Sequence, residues 1–434
     1  MPRDLSVQPL SLPRTLDGSD PDGRFSTKAM RRRIRVLFIV SRPRVTPSIS
    51  VHANLMRYLD RERVEVNAVY PRMATEPPYD ASGYSSFAAL PQTPEVTLRP
   101  LEFGPVGDAP RSQLLAQSAQ ATIPALRDMG SLIRFITRRR IDILHCEEGT
   151  RNAFYAYLLS RVTPARCVVH FHLGYGDWMS RPSRLAVKRA DAIISVSSWT
   201  GHEIRVDGVS PRHIFPVLNG IELSNWDPAG VDGVAIRREF GLQPQDPLIV
   251  QVAQLVDWKR QHLTIKALPG VLERHPTARL MLVGAEPARP PSSGEAYTET
   301  LRRQVAAAGL EEQVIFTGRR SDVREILAAA DVFTLPSVGE PCALALVEAM
   351  AMGKPVVSVR AGGTPELVED GKAGLLGEPD DAEQLAANLL ALIDEPERRR
   401  RMGEYGRRRA LDYFSVQRMA EDVESVYRFV AGAC

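Results

Sequence analysis

The chain has 434 residues, of which 44% are hydrophobic and 25% are charged, so it is long enough for two or three globular domains and is not a disordered or disulfide-stapled peptide. Its 55 basic and 52 acidic residues give a net charge of only +3, which does not favour nucleic acid as a partner. The four cysteines form no C-x-x-C pair and the histidines show no metal-binding spacing, so we expect no metal, no disulfide framework and a cytoplasmic location.

The first half of the chain alternates short apolar runs with longer helical patterns. Residues 1–32 are rich in Pro, Asp, Ser and Arg, which predicts a disordered leader, and an N-terminal domain is expected at 33–218. Its predicted strands are 34–40, 64–70, 141–145, 167–172 and 192–196, and its predicted helices are 112–139 and 155–162. Strands that alternate with helices indicate βαβ units and a parallel sheet.

The second half repeats this alternation after a polar stretch at 219–246, which we interpret as an interdomain linker. A C-terminal domain at 247–412 is expected to bind the ligand, and a closing helix is expected at 413–434. Its predicted strands are 248–252, 279–283, 314–317, 331–335 and 356–359, and its predicted helices are 261–274, 297–308 and 343–352. The pattern predicts an α/β fold of two doubly wound, Rossmann-like domains facing a central cleft, with ligands at the carboxyl ends of the strands.

The common nucleotide-binding motifs are absent from the sequence. Both Gly-Lys pairs, at 353–354 and 371–372, lack the Ser or Thr that a phosphate-binding Walker loop needs. The turn after the strand at 34–40 lacks the glycines of the dinucleotide fingerprint, which argues against a nicotinamide enzyme. The sole Asp-x-Asp, at 20–22, falls in the predicted leader, so no metal or cofactor is expected there.

The segment 331–366 predicts an anion site. A strand is followed by a loop carrying Glu340 and by a helix expected just after Pro341, whose first amide groups and dipole favour an anion. Gly362 and Gly363 permit close approach of the backbone to a ligand at the next helix. Glu340 and Glu348 are placed to accept hydrogen bonds from sugar and ribose hydroxyls, but spacing alone equally allows surface glutamates.

These residues belong to a series of motifs in one order along about 400 residues. Glu340, seven intervening residues, Glu348 and the glycine-rich 362–366 resemble the hallmark of family 4 retaining glycosyltransferases of the GT-B fold. Further segments that resemble the family are 219–222, 282–284, 316–318 and 414–415. The resemblance implies the two-domain fold described above and a nucleoside-diphosphate sugar as donor substrate.

The resemblance also implies roles for individual residues. Glu340 would contact the donor sugar, Glu348 the nucleotide ribose, and His172 the donor from the N-terminal domain. Lys259 would neutralise the donor diphosphate, although an ordinary surface lysine is the alternative. We expect His170 to point to the other face of its strand and to be structural. The catalytic residues implied are therefore His172, Lys259 and Glu340. The donor-binding residues implied are Gln254, Lys259, Arg260, Glu340, Cys342, Ala343, Leu344, Glu348, Gly362 and Gly363.

The sequence departs from the family pattern at three places. Gln254 stands where many relatives have an arginine on the diphosphate, so either Arg260 compensates or the pocket binds less tightly. Residues 46–50 replace the glycine-rich loop after the first strand, which leaves acceptor contacts unassigned. Cys342 and Ala343 replace the usual Phe-Gly. An alanine at 343 is compatible with the α-helical backbone expected there.

The sequence thus predicts a retaining enzyme that moves a hexosyl unit from a nucleotide sugar to a hydroxyl acceptor in glycan, glycolipid or glycoside biosynthesis. The alternatives are a nucleotide-sugar epimerase or a phosphorylase on the same fold, and a non-catalytic sugar-nucleotide-binding protein. Arginines at 134 and 138–140 indicate either a solvated helix end or a peripheral contact with the inner membrane face. The donor base and sugar, acceptor, linkage and oligomeric state are not readable from the sequence.

Overall fold

The computed structural model describes residues 32–40, 47–71, 97–101, 127–147, 152–176, 178–287 and 296–432. The predicted leader, apart from Arg32, and the first part of the predicted helix at 112–139 lie outside these residues. The chain forms two compact units, one of which contains the described residues up to Leu218 and from Met419 onward, while the other is Asn219–Arg418.

The first unit is built on a seven-stranded parallel sheet. The apolar strands are buried between helices, and Phe38, Ile136 and Phe171 are fully buried in the core. The strands, in chain order, are β1 Ile34–Ile39, β2 Val64–Pro71, β3 Thr97–Leu101, β4 Ile143–Glu147, β5 Arg166–Phe171, β6 Ala192–Ser195 and β7 Ile214–Pro216. The helices are α1 Pro47–Tyr58, α2 at 127–139, α3 Asn152–Val162, α4 Arg181–Lys188 and α5 Ser198–Val206.

The second unit is built on a six-stranded parallel sheet. Its strands are β8 Leu248–Val252, β9 Arg279–Val283, β10 Val314–Gly318, β11 Val332–Leu335, β12 Val356–Val359 and β13 Gly374–Gly377. The remaining helices of the chain are α6 Val234–Glu239, α7 Gln261–Leu272, α8 Tyr297–Ala307, α9 Val323–Ala329, α10 Leu344–Ala351, α11 Thr364–Leu367, α12 Ala382–Ile393, α13 Pro396–Tyr413 and α14 Val416–Gly432. From Met419 onward, α14 belongs to the first unit.

Both sheets have the doubly wound order that the sequence predicts. The first is β3-β2-β1-β4-β5-β6-β7 and the second β10-β9-β8-β11-β12-β13, so the order reverses beside the first strand of each unit. In open α/β sheets the loops at such a reversal form the ligand-binding crevice. In the second unit, these loops follow β8 and β11.

The segment 219–246, interpreted from sequence as a linker, is part of the second unit. Arg237 of α6 pairs with Asp331, with Nη2 and Oδ2 2.8 Å apart, and a Cβ on Gly233 would lie 2.1 Å from the Cα of Ala329. Because these contacts are close, the segment is packed against the domain. Among the helices described, none combines the length and apolar composition needed to cross a membrane.

Candidate functional site

A buried ion pair lies at the carboxyl ends of the neighbouring strands β8 and β11. Lys259 ends a short 3-10 turn after β8, and Glu340 lies in the loop after β11. Lys259 Nζ donates to Glu340 Oε2 at 2.6 Å, and the side chains are only 14% and 10% exposed. The ammonium also lies 4.1 Å from the ring centroid of Trp258. The site therefore holds one fixed cation and one fixed carboxylate, both largely removed from water.

The loop after β12 closes on the backbone of Glu340. The Gly363 N–H donates to the Glu340 carbonyl oxygen at 2.7 Å. Gly362 has a φ of +58°, and a Cβ there would lie 2.3 Å from the same oxygen, so no other residue fits without displacing the loop. Three strand ends of the second unit thus bring Lys259, Glu340 and the glycine pair together.

The helix after Glu340 begins within one residue of its predicted start. It was predicted at 343–352, and α10 spans Leu344–Ala351, with Cys342 and Ala343 buried ahead of it. No side chain caps α10, and the Leu346 N–H donates to the Ala343 carbonyl oxygen at 3.0 Å, so the positive end of the helix dipole is what favours an anion here. Burial raises the pKa of the Cys342 thiol to about 12, so this thiol is not a nucleophile at neutral pH.

Glu348 lies on α10 as a half-buried carboxyl group. Burial raises its pKa to about 7, and within the described part of the chain its carboxyl group has no hydrogen-bond partner. An unpaired carboxylate in such surroundings is costly to ionise. A ligand hydroxyl pair that donates to it would offset this cost.

Gln254 and Arg260 make hydrogen bonds and ion pairs with residues other than Lys259 and Glu340. Gln254 is exposed, and its backbone carbonyl accepts from the Gln261 side chain at 2.7 Å. Arg260, in a left-handed conformation with a φ of +56°, has Nη1 2.9 Å from Asp257 and Nε 2.9 Å from Asp380. The sequence allows Arg260 as a substitute for the arginine that Gln254 replaces. The Arg260 guanidinium is paired with two carboxylates.

His172 lies in the first unit, directly after β5, within a group of buried aromatic side chains. Its ring centroid is 4.1 Å from that of His170, and its Nε2 is 3.0 Å from His52 Nε2. The prediction that His170 points to the other face of the strand is wrong, because residues two apart in a strand share a face. His52 Nε2 is also 3.4 Å from His145 Nε2, and His145 Nδ1 is 2.8 Å from the Tyr427 hydroxyl.

Three of these histidines, His52, His145 and His170, are neutral at pH 7 because they are buried. Burial lowers the pKa of His52 to about 3 and the pKa of His145 and His170 well below the usual histidine value. Sequence reasoning missed His52, His145 and Tyr427, because they lie 93 to 282 residues from their partners. It also predicted no metal-binding group, whereas ring nitrogens of His52, His170 and His172 lie within 4.8 Å of one another.

Two family models match the chain in separate segments. The model of glycosyl transferases group 1 matches residues 234–409, and that of glycosyltransferase family 4 matches residues 50–225.

Curated relatives match over most of their own length. The chain is 32% identical over 297 residues to GDP-mannose-dependent alpha-(1-6)-phosphatidylinositol monomannoside mannosyltransferase from Mycolicibacterium smegmatis, covering 64% of this chain and 74% of that protein. It is 26% identical over 298 residues to N-acetyl-alpha-D-glucosaminyl L-malate synthase from Bacillus anthracis, covering 67% of this chain and 75% of that protein.

Among solved structures, Anabaena Alr3699/HepE in complex with UDP and glucose superposes with a TM-score of 0.70 at 21% identity. The match covers 91% of this chain and 99% of that one. At this identity the likeness concerns the fold, and it agrees with the predicted arrangement of two doubly wound domains.

Proposed function

The chain belongs to the glycosyl transferases group 1 family and has the GT-B fold, and on this basis we propose that it transfers a hexosyl unit from a nucleoside-diphosphate sugar to a hydroxyl acceptor with retention at the anomeric carbon. The product would be a glycan, glycolipid or other glycoside. The observation that carries the proposal is the buried pair of Lys259 and Glu340 beside the glycine loop of 362–363.

The donor is proposed to bind in the second unit, where these groups match its chemistry. Lys259 and the N-terminal end of α10 would face the diphosphate, since the ammonium and the helix dipole supply positive charge. Glu340 would accept from sugar hydroxyls and Glu348 from the ribose diol. The buried carboxyl of Glu348 has no partner among the described residues, which fits a group that awaits a ligand.

The proposed reaction needs no covalent enzyme intermediate. The acceptor oxygen attacks the anomeric carbon on the face that the diphosphate leaves, the glycosidic C–O bond breaks, and the acceptor proton passes to a diphosphate oxygen. The negative charge that develops on the diphosphate is stabilised by the Lys259 ammonium, which is already fixed in place. Rate enhancement then depends on positioning and electrostatics.

Turnover of variants at Lys259 tests this assignment. Lys259→Ala should lower kcat/KM for transfer by about 100-fold or more, because a preorganised charge at the leaving group is removed. Lys266→Ala is the matched control, since Lys266 is an exposed lysine on the following helix. Near-normal turnover of Lys259→Ala would show that the diphosphate is not bound there.

Incubation with labelled donor separates the proposal from its alternatives. A transferase consumes donor only with a hydroxyl acceptor, an epimerase converts donor alone, and a phosphorylase requires inorganic phosphate. A binding protein would show donor-protected melting without turnover. Panels of UDP-, GDP- and ADP-sugars identify the donor, and the anomeric configuration of the product tests retention.

We propose in addition that the enzyme works in the cytoplasm at a membrane surface, on a lipid-linked acceptor. The exposed arginines at 134 and 138–140, at the end of α2, supply the positive charge that anionic headgroups attract. The mannosyltransferase relative is named for a phosphatidylinositol monomannoside acceptor, which supports testing this class first.

A further inference from the structure

Half of the histidines of the chain lie together in the first unit. Four of eight, namely His52 on α1, His145 on β4, His170 on β5 and His172 just after β5, have exposures of 8% or less. We call these four residues the histidine cluster. The ring centroids of His52 lie 4.9, 5.2 and 4.8 Å from those of His145, His170 and His172. This arrangement comes from distant parts of the sequence and is made by the fold.

Hydrogen bonding does not account for the His170 ring, nor for both contacts of His52 Nε2. His52 Nε2 faces the Nε2 atoms of both His172 and His145, but the nitrogen of a neutral imidazole is a single donor or a single acceptor. Only one of these contacts is therefore a good hydrogen bond. His170 is fully buried, and neither of its ring nitrogens has a partner in the described part of the chain. Apolar side chains would satisfy this core better, so the nitrogens require another explanation.

The spacing of the nitrogens is that of metal ligands. Zinc–nitrogen bonds in tetrahedral geometry place the ligand nitrogens about 3.3 Å apart. The Nε2 atoms of His52 and His172 are 3.0 Å apart. One nitrogen from each of His52, His170 and His172 lies within 4.8 Å of the others, so metal binding requires the rings to move closer than they stand here.

The surroundings supply charge and orientation. Glu147, which is buried, follows His145 by two residues on the same face of β4 and is the register partner of His170 across β4 and β5. Its Oε1 accepts from Asn152 Nδ2 at 3.2 Å, so it places a negative charge on the adjacent strand without belonging to the group of three histidine nitrogens. The Tyr427 hydroxyl holds the neighbouring His145 ring through Nδ1 at 2.8 Å.

We propose that His52, His170 and His172 bind a divalent transition-metal ion with the ligand preferences of zinc, with His145 beside the site. Three neutral imidazoles leave a fourth position for water or an oxygen ligand. The site lies wholly in the first unit and goes beyond the proposed transfer reaction. Its tests use no sugar donor, so the failure of one proposal does not bear on the other.

The direct test is metal binding by the full chain purified without a polyhistidine tag. Zinc or cobalt is added to chelator-treated protein, excess ion is removed, and the bound metal is quantified. The expected result is one tightly bound ion per chain, a visible cobalt spectrum of a nitrogen-rich site, and a higher melting temperature with zinc. X-ray absorption of the zinc-loaded wild-type protein should show imidazole ligands.

Variants locate the ion. His52→Gln and His170→Gln should weaken zinc binding more than about tenfold and lose the melting shift. His202→Gln is the matched control, because His202 is a histidine of the same unit that contacts Arg205 instead of the histidine cluster. Near-ultraviolet circular dichroism of each variant in chelator verifies the native fold, and if a buried variant does not fold, the wild-type stoichiometry and X-ray absorption decide alone.

The proposal is overturned if the wild-type protein retains no zinc or cobalt and shows no melting shift. It is equally overturned if binding in folded His52→Gln and His170→Gln equals that of wild type, since the ion would then occupy another surface.

Discussion

The two units place polar residues at the same position of a doubly wound sheet but give them opposite electrostatics. In the second unit, the strand ends carry a paired cation and carboxylate, Lys259 and Glu340. In the first unit, the end of β5 carries His170 and His172, whose rings contact His52 of α1. A fixed charge pair suits a charged diphosphate, whereas neutral lone pairs suit a soft cation.

After Lys259, the largest effect is expected at Glu340, the acidic member of the charge pair. Glu340→Gln should lower kcat/KM for sugar transfer by about 100-fold, because a charge-assisted acceptor for sugar hydroxyls is lost. Binding of the nucleoside diphosphate without its sugar should change much less. Glu383→Gln removes one exposed glutamate of the same unit and is the control. Equal losses for the two ligands would place Glu340 away from the sugar.

A substitution in the glycine loop of 362–363 tests whether its close approach to the Glu340 backbone is needed for stability and nucleotide binding. Gly362→Ala should lower the free energy of unfolding by about 3 kcal/mol and weaken nucleotide binding, since the new Cβ meets the Glu340 carbonyl. Gly371→Ala is the control: its φ is +75° but the space around it is open, so only about 1 kcal/mol of backbone strain is expected. Urea unfolding measures both. Similar losses for the two variants would show that the close approach to Glu340 contributes nothing.

Substitution of Glu348 should have opposite effects on protein stability and on nucleotide binding, and the effect on stability should depend on pH. Its folded pKa of about 7 exceeds the unfolded value of 4.5, so the folded state binds the proton more tightly and stability falls as pH rises through this interval. Glu348→Gln removes this penalty and should stabilise the protein by about 2 kcal/mol more at pH 8 than at pH 5.

The same substitution should weaken nucleotide binding at pH 8, because the carboxylate that accepts the ribose hydroxyls is gone. Denaturation at both pH values and calorimetric titration measure the two effects. A stabilisation that is equal at pH 5 and pH 8 would contradict the burial of an ionising carboxyl.

The smallest effect concerns the arginines at the end of α2. Arg138→Gln should reduce binding to anionic vesicles about fivefold, the contribution of a single cation near a charged surface, and leave neutral vesicles unaffected. Arg212→Gln, another exposed arginine of the first unit, is the control. Cosedimentation measures binding, and an equal decrease in the control would assign the effect to net charge alone.

The sequence predicted the central strands of both sheets well because they are apolar runs bounded by polar segments, such as 34–39 and 248–252. It missed β3, which contains Pro100, and β13, a four-residue strand that begins and ends with glycine. These compositions resemble turns, and their extended form depends on pairing with a neighbouring strand.

The candidate site was predictable where its residues follow one another within a motif. Glu340, Glu348 and the glycines at 362–363 fall within 24 residues. Lys259 was predicted through the family resemblance, whereas Lys354, of the Gly-Lys pair at 353–354, donates to the carbonyls of Ala328 and Ala330 at the end of α9. The histidine cluster left no local pattern apart from His-x-His, since its contacts require the finished sheet.

The most direct measurement compares the affinities of a nucleoside diphosphate and the corresponding monophosphate. In the wild-type protein and in Lys266→Ala, the diphosphate should bind about tenfold more tightly, since Lys259 acts on the added phosphate. In Lys259→Ala this difference should disappear. If the difference persists unchanged in folded Lys259→Ala, the ammonium does not bind the diphosphate and the proposed donor site is wrong.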